Sequence, residues 1–231
     1  MPYRRLPNTD QARLRALKAA IIRCESQSFG NETVKFSTVT DARNCCGTFE
    51  NQLNQYQKVF ENQVSANKQY QQMVANARMY ISHFIQVFNL SVIRGDIKAE
   101  HKLLYRLEPD SHIVPDLSTD AAILEWGKHI IEGEGERIRN GGTPIYNPPI
   151  SKVKVHYEIF KEYNSKHKLY HDITSRNRNV LVDLRKRCDD LILNIWNQVE
   201  EKFKDEEPAA RIKKCQEYGV VYYYRKGESP L

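Results

Sequence analysis

Apolar residues recur at alternating spacings of three and four in two windows of the chain, between Gly47 and Gly95 and between Pro149 and Pro208. Neither window contains an internal proline or glycine. Such spacing is a heptad pattern, which is typical of helices that pack along an apolar seam. We therefore predict two long helices, at about 38–94 and 150–207. Each would be about 85 Å long at 1.5 Å per residue.

Both seams are interrupted by polar residues near the middle of the helix. The seam positions there hold Gln63 and Asn67 in the first helix, and His167, Tyr170, Thr174 and Asn177 in the second. If the helices pack side by side, these side chains meet in one buried polar layer. Hydrogen bonds within such a layer fix the register of paired helices at some cost in stability. The alternative is that the layer lines a pocket for a small ligand or a metal ion.

A shorter amphipathic helix is predicted before each long one, at about 9–27 and 120–140. Asn8 and Gln11 resemble a capping box at the start of the first, and Ser118 or Thr119 caps the second. The chain is thus interpreted as one helical domain, 1–231, that contains two repeat segments, 8–94 and 118–207. A connector at 95–117 holds a short helix near 99–106, and 208–231 forms a C-terminal appendage.

The predicted fold is all-α, an elongated bundle of two αα-hairpins in which a short helix precedes a long one. Parallel and antiparallel arrangements of the long helices both remain open. Continuous helices are favoured over breaks at 65–69 and 175–179, because neither stretch contains glycine or proline. The appendage is expected to form a small helix at 208–217 and a strand at 220–224. That strand would pair with 33–36 or with a second chain.

Composition and cysteine content argue against a membrane protein, a secreted protein and a disulfide-rich protein. The chain has 231 residues, is 40% hydrophobic and 28% charged, and carries a net charge of +6. No apolar run reaches the roughly 20 residues that span a bilayer, and the N-terminus lacks the apolar region of a secretory signal. The five cysteines are odd in number and two are adjacent, which argues against a disulfide framework. We expect a cytoplasmic protein without membrane contact, in which Cys45 and Cys46 serve as small buried hydrophobic residues.

Two groups of residues have the spacing of metal ligands, but in both cases a structural role is favoured. His167 and His171 are four apart and share a helical face. Glu125, His129, Glu132 and Glu136 lie on one stripe opposite the apolar face of their helix, so we expect that stripe to face water. The chain has no convergent set of nucleophile, base and acid. The sequence therefore predicts no catalytic residues and no cofactor.

Basic and aromatic residues near both termini are candidates for contact with an anionic partner such as a nucleic acid. They are Arg4, Arg5, Tyr222, Tyr224, Arg225 and Lys226. Tyrosine rings stack on single-stranded bases, and arginine and lysine neutralise phosphates. The same tyrosines are equally suited to stabilise an edge strand. The structural role is favoured, and nucleic-acid binding is kept as an alternative.

Three stretches resemble a set of uncharacterised bacterial helical proteins: MPYRRLPNTDQARLRALK, WGKHIIEGE with the following GGTPIYNP, and EYGVVYYYRKGE. The resemblance spans most of the chain and implies a bacterial cytoplasmic source, but no activity. Our main interpretation is a non-enzymatic helical interaction or scaffold protein that self-associates or binds a helical partner. The alternatives are a nucleic-acid-associated protein and a metal- or ligand-binding bundle around His167 and His171.

Overall fold

The computed structural model describes residues 3–27 and 32–224, and it confirms the all-α prediction. The helices are α1 (Asp10–Glu25), α2 (Phe36–Ile93), a 3₁₀ helix (Ala99–Tyr105), α3 (Asp120–Arg139), α4 (Ile150–Lys202) and α5 (Pro208–Glu217). Two short strands, β1 (Tyr3–Arg4) and β2 (Tyr222–Tyr223), form a small sheet. The predicted order of short and long helices is present.

Local capping determines where the two short helices begin. The Thr9 side chain accepts a hydrogen bond from the Ala12 amide at 3.2 Å, so Thr9 caps α1. The predicted capping box of Asn8 and Gln11 was therefore wrong. Thr119 caps α3 in the same way, through the Ala122 amide at 3.1 Å. Gly141 follows α3 with a φ of +87°, a left-handed conformation that favours glycine.

Both long helices run without a break through the stretches where an interruption was considered. Their seams are largely buried, as the heptad pattern predicted: Ala42, Cys46, Phe49, Tyr70, Val74, Ala77, Ile81, Phe84 and Phe88 in α2, and Phe160, Leu181, Cys188 and Ile195 in α4. Phe60 is an exception, because 47% of its surface is exposed. The period of the apolar pattern therefore identifies the packed face of most of each helix.

The chain divides into two compact units that do not coincide with the two repeat segments. Unit 1 comprises Met1–Val59 and Thr174–Leu231, and unit 2 comprises Phe60–Ile173. Each unit thus contains part of each long helix, together with α1 and α5 in unit 1 and with the 3₁₀ helix and α3 in unit 2. Within each unit the parts of α2 and α4 run antiparallel. In unit 1, for example, the Lys35 amide donates to the Gln198 side chain, whereas Gln52 donates to Asn177.

The core of unit 1 is built from α1, α5 and the parts of α2 and α4 that belong to this unit. Trp196, Leu17 and Phe49 are fully buried in it. Asp10 on α1 accepts two hydrogen bonds of 2.7 Å from Arg185, and Arg13 donates to Asp189 at 2.8 and 2.9 Å. These ion pairs fasten α1 to α4 at the edge of the apolar core.

The C-terminal strand has a different partner from the one expected. β2 pairs antiparallel with β1, with Tyr3 opposite Tyr223 and Arg4 opposite Tyr222. The proposed pairing with 33–36 was wrong, because Phe36 already begins α2. The strand itself is also shorter than predicted, since it spans Tyr222–Tyr223 alone.

The core of unit 2 contains Phe84, Phe88, Ile123, Ile130 and Phe160, and the connector packs over it. Close contact between the 3₁₀ helix and α3 depends on Gly133. A Cβ atom at this position would lie 2.7 Å from the Leu104 carbonyl oxygen. The connector is further anchored by the fully buried Lys102, whose Nζ donates to the Ser111 carbonyl at 2.8 Å. None of the helices in the described part of the chain has the length and apolar character needed to cross a bilayer.

Candidate functional site

The residues of the predicted polar layer fall into both units and differ in their burial. In unit 2, His167 stacks on Tyr70, with ring centroids 4.4 Å apart and 9° between the planes. His167 and Tyr170 line a small polar groove of about 350 Å³ together with Asn62, Ser65, Ala66 and Gln69 of α2. Gln63 is half-buried, whereas Asn67 is exposed. The assignment of Asn67 to a buried layer was therefore wrong.

The remaining members of the predicted layer lie in unit 1. Thr174 is buried, and Asn177 is half-buried and accepts a hydrogen bond of 2.9 Å from Gln52 Nε2. A buried polar residue of α4 that the pattern did not reveal is Asn164 in unit 2, which is 4% exposed. Asn164 Oδ1 accepts from none of the described residues.

Neither predicted metal-ligand group converges on a site. His171 is exposed, and His167 is engaged with the Tyr70 ring. Glu125, Glu132 and Glu136 are exposed and His129 is half-buried, as expected for a stripe that faces water. Within residues 3–27 and 32–224, no three histidine, cysteine, aspartate or glutamate side chains are close enough to hold a metal ion.

Two of the residues proposed to contact an anionic partner already form hydrogen bonds with Glu200 of unit 1. Arg4 Nη1 donates to Glu200 at 3.1 Å, and the Tyr222 hydroxyl donates to the same carboxylate at 2.7 Å. Burial and this hydrogen bond raise the pKa of Tyr222. Tyr224 is half-buried, and Arg225 and Lys226 lie outside the described residues. Arg4 and Tyr222 therefore stabilise the small sheet.

Arg5 is in a different environment, at the rim of an apolar groove in unit 1. Its backbone N–H donates to the Val221 carbonyl at 2.8 Å, and its side chain is exposed. The groove has a volume of about 400 Å³ and is lined by Arg5, Leu6, Pro7, Asn8, Ala12, Arg15, Ala16, Ala19, Trp196, Gly219 and Val221. We call it the Arg5 groove. Among the described residues, neither Arg5 nor Arg15 has a side-chain acceptor or a carboxylate partner.

The floor of the Arg5 groove follows from the spacing of small residues on α1. Ala12, Ala16 and Ala19 are four and three residues apart, so their methyl groups lie on one face of the helix. Gly219, with a φ of +80°, allows the chain before β2 to pass close to that face, because a Cβ there would lie 3.1 Å from the Ala16 carbonyl oxygen. The result is an apolar surface in a groove that Arg5 and Arg15 also line.

The excess positive charge of the chain belongs entirely to the unit that contains this groove. The segments of unit 1 hold 21 lysines and arginines against 15 aspartates and glutamates, whereas unit 2 holds 14 of each. The net charge of +6 is therefore that of unit 1. This distribution favours attraction of an acidic partner to unit 1.

A second group of charged residues, in the core of unit 2, was missed by sequence reasoning. Arg137 and Glu134 on α3 are 2% and 0% exposed and form a two-pronged ion pair with both distances 2.9 Å. The Tyr105 hydroxyl donates to Glu134, and the Ile145 amide donates to the same carboxylate at 3.0 Å. Burial alone would lower the pKa of Arg137, but its hydrogen bonds and charge contacts with Glu134 and Tyr105 raise it. The mid-helix glycines of GEGE, at 133–136, were the available signal, since such glycines often mark a close approach.

Comparison of the chain with protein-family models, with curated proteins and with solved structures gave no match. The resemblance to bacterial helical proteins therefore stays a prediction.

Proposed function

We propose that this chain is a non-enzymatic interaction protein, and that its Arg5 groove binds an acidic segment of a partner protein that presents an apolar face. The observation that supports this proposal is an apolar groove lined by two arginines that have no carboxylate partner among the described residues. Other arginines of this unit, Arg13, Arg43 and Arg185, each form an ion pair with a carboxylate.

The chemistry of the partner follows from that of the groove. Alanine methyl groups, Leu6 and Val221 offer apolar area, which favours burial against an apolar face at about 25 cal/mol per Å². Arg5 and Arg15 supply planar groups that bind carboxylates with two parallel hydrogen bonds. An amphipathic helix with glutamates beside its apolar stripe has both features. Such helix-in-groove binding is a common mode of peptide recognition.

Nucleic acid, the alternative expected from the sequence, has less support at this groove. Single-stranded binding relies on open aromatic faces on which bases stack. The ring that lines the groove belongs to Trp196, which is only 1% exposed. Tyr222, a proposed stacking residue, is bonded to Glu200. A cytoplasmic location and self-association, both expected from the sequence, belong to the proposal as well.

The proposal is tested with two fluorescent probes, 1-anilinonaphthalene-8-sulfonate and a labelled 18-residue helix of glutamate, leucine and alanine. Replacing both Arg5→Gln and Arg15→Gln should weaken binding of each probe at least about fivefold, or about 1 kcal/mol. The matched control is Arg176→Gln with Arg178→Gln, which removes the same charge from exposed positions of the same unit.

If the control variant bound the probes as weakly as the Arg5/Arg15 variant, net charge alone would attract them. That result would refute the Arg5 groove as a binding site. If a single-stranded oligonucleotide bound more tightly than the peptide, and if this binding depended on Arg5 and Arg15, the partner would be a nucleic acid and not a protein. If a second copy fills the groove, sedimentation should reveal dimers of the unmodified chain that the Arg5/Arg15 variant does not form.

A further inference from the structure

Arg137 in unit 2 is only 2% exposed, and one of its guanidinium nitrogens has no hydrogen-bond acceptor among the described residues. Its Nε donates to Glu134 and Tyr105, and its Nη2 donates to Glu134 and to the Thr143 carbonyl at 2.7 Å. Nη1 donates to no acceptor among the described residues. These contacts hold the guanidinium group in a fixed orientation, so a ligand bound by Nη1 would not have to order the side chain.

Arg137 lines a groove of about 730 Å³ in unit 2, and so does Gly142, where a Cβ atom would lie 2.7 Å from Arg137 Nη1. Arg94, Lys98 and His101 also line it. Arg94 forms an ion pair with Asp96 at 3.0 Å, whereas Lys98 has no carboxylate partner in the described part of the chain. One preorganised and one unpaired cationic residue therefore line the same groove.

We propose that this groove binds a small ligand through a phosphate group, which Arg137 Nη1 and the Lys98 ammonium contact together. Charge-assisted hydrogen bonds to phosphate are the strong class, and arginine suits its paired oxygens. Glu134 does not compete with the ligand for Nη1, because it accepts its hydrogen bonds from Nε and Nη2 of Arg137. The site is independent of the Arg5 groove, so either can fail without the other.

The test is calorimetric titration of the full chain with inorganic pyrophosphate, and with citrate to distinguish carboxylates from phosphates. Lys98→Gln should weaken pyrophosphate binding about fivefold to tenfold. Arg139→Gln, an exposed position on α3 outside the groove, is the control and should change it less than twofold. Lys98 is exposed, so this variant tests the site without disturbing the buried pair.

No binding heat and no thermal shift at millimolar pyrophosphate would overturn the site. Equal weakening in Lys98→Gln and Arg139→Gln would overturn it too, because it would mean general attraction rather than a defined contact. If citrate bound as tightly as pyrophosphate, and with the same dependence on Lys98, the ligand group would be a carboxylate and not a phosphate.

A separate observation concerns the cysteines, all five of which lie in unit 1. Cys45 on α2 and Cys188 on α4 are 2% and 0% exposed, and their Sγ atoms are 3.1 Å apart. The adjacent Cys46 and the more distant Cys24 and Cys215 have no such thiol contact among the described residues. The contact with Cys188 lowers the pKa of Cys45, whereas burial raises the pKa of Cys24, Cys46 and Cys215.

We infer that Cys45 and Cys188 form a reversible disulfide when the chain meets a small-molecule disulfide such as oxidised glutathione. The Cys45 thiolate attacks one glutathione sulfur and expels a glutathione thiolate. Cys188, after losing its proton, then attacks the Cys45 sulfur and expels the second. Two protein thiols are oxidised and one disulfide is reduced to two thiols. The bond would tie α2 to α4, and access requires local opening of the buried pair.

Peptide mass spectrometry after exposure to oxidised glutathione should find Cys45 linked to Cys188, with a mass lower by two hydrogens. Cys188→Ser should abolish the link, and Cys215→Ser should leave it unchanged. Glutathione adducts at Cys24 without any 45–188 link, or a link through Cys46 instead, would overturn the inference.

Discussion

The buried pair of Glu134 and Arg137 shows how much one charged residue depends on its surroundings. Removing a charge from water costs several kcal/mol, and only close geometry with further hydrogen bonds offsets that cost. Glu134 has such bonds from Tyr105 and the Ile145 amide, and Arg137 has one to the Thr143 carbonyl. The pair therefore connects α3 to the 3₁₀ helix and to the loop that follows α3.

Two glycines of α3 provide the sharpest prediction at the residue scale. Gly133→Ala would place a Cβ 2.7 Å from the Leu104 carbonyl oxygen, whereas a Cβ at Gly135 meets nothing within 4 Å. We expect Gly133→Ala to lower the free energy of unfolding by about 1–3 kcal/mol, as overpacking does. Gly135→Ala should raise it by about 0.5–1 kcal/mol, because alanine favours the helix. Urea denaturation monitored by circular dichroism measures both.

Both substitutions add the same methyl group to the same helix, so both gain the same helix propensity. The difference between their free energies of unfolding therefore measures the steric contact at Gly133. If Gly133→Ala proved as stabilising as Gly135→Ala, the close contact between α3 and the 3₁₀ helix would be refuted.

The element scale is where sequence reasoning succeeded best. Periodicity fixes which face of a helix is apolar, so the bounds of α2 and α4 differ from their predicted bounds by five residues or fewer. Capping was less predictable, because Asn8 and Thr9 are both good N-cap residues and only the backbone geometry selects Thr9. The β1–β2 pairing was beyond prediction, since two-residue strands leave no period in the sequence.

The error in the polar layer has a geometric cause. An α-helix has 3.6 residues per turn, so a strict heptad drifts by about 20° per repeat. The pattern extrapolated from the apolar seam selected Gln63 and Asn67, whereas Asn62, Ser65, Ala66 and Gln69 line the groove with His167. Val64, the aliphatic residue in the middle of that stretch, is 50% exposed, so hydrophobicity did not mark the packed face there.

The candidate sites were harder to predict than the helices, because they join residues distant in sequence. Arg5 was among the proposed contacts, but its neighbours Trp196 and Val221 were not. Arg137 lies seven residues after Ile130, on the apolar face of α3, but a charged residue is rarely expected to be buried. Burial of such a residue depends on which connector covers it, and the connector has no periodic signal.

Over the whole molecule, the partition of charge between the units has a consequence for acid stability. Unit 1 already carries the excess of basic residues, and protonation of its carboxylates increases that excess. The Arg185 hydrogen bonds lower the pKa of Asp10 below its ordinary 3.8, against the opposing effect of burial, and Arg13 adds to the lowering. A carboxylate with a lowered pKa stabilises the fold above its ordinary pKa, and that stabilisation is lost as the pH falls through its folded-state value.

We therefore expect α1 to lose protection from hydrogen exchange at a higher pH than α3 when the full chain is acidified below about pH 4. Asp10→Asn should remove most of this pH dependence, because the protonatable partner of Arg185 is gone, and it should lower the protection of α1 at neutral pH. Asp183→Asn, an exposed change two residues before Arg185 on the same helix, is the control. Hydrogen–deuterium exchange with mass spectrometry resolves the two helices. Simultaneous loss of protection in α1 and α3, with Asp10→Asn behaving like the unmodified chain, would show that neither the Asp10 ion pairs nor the charge of unit 1 controls its acid stability.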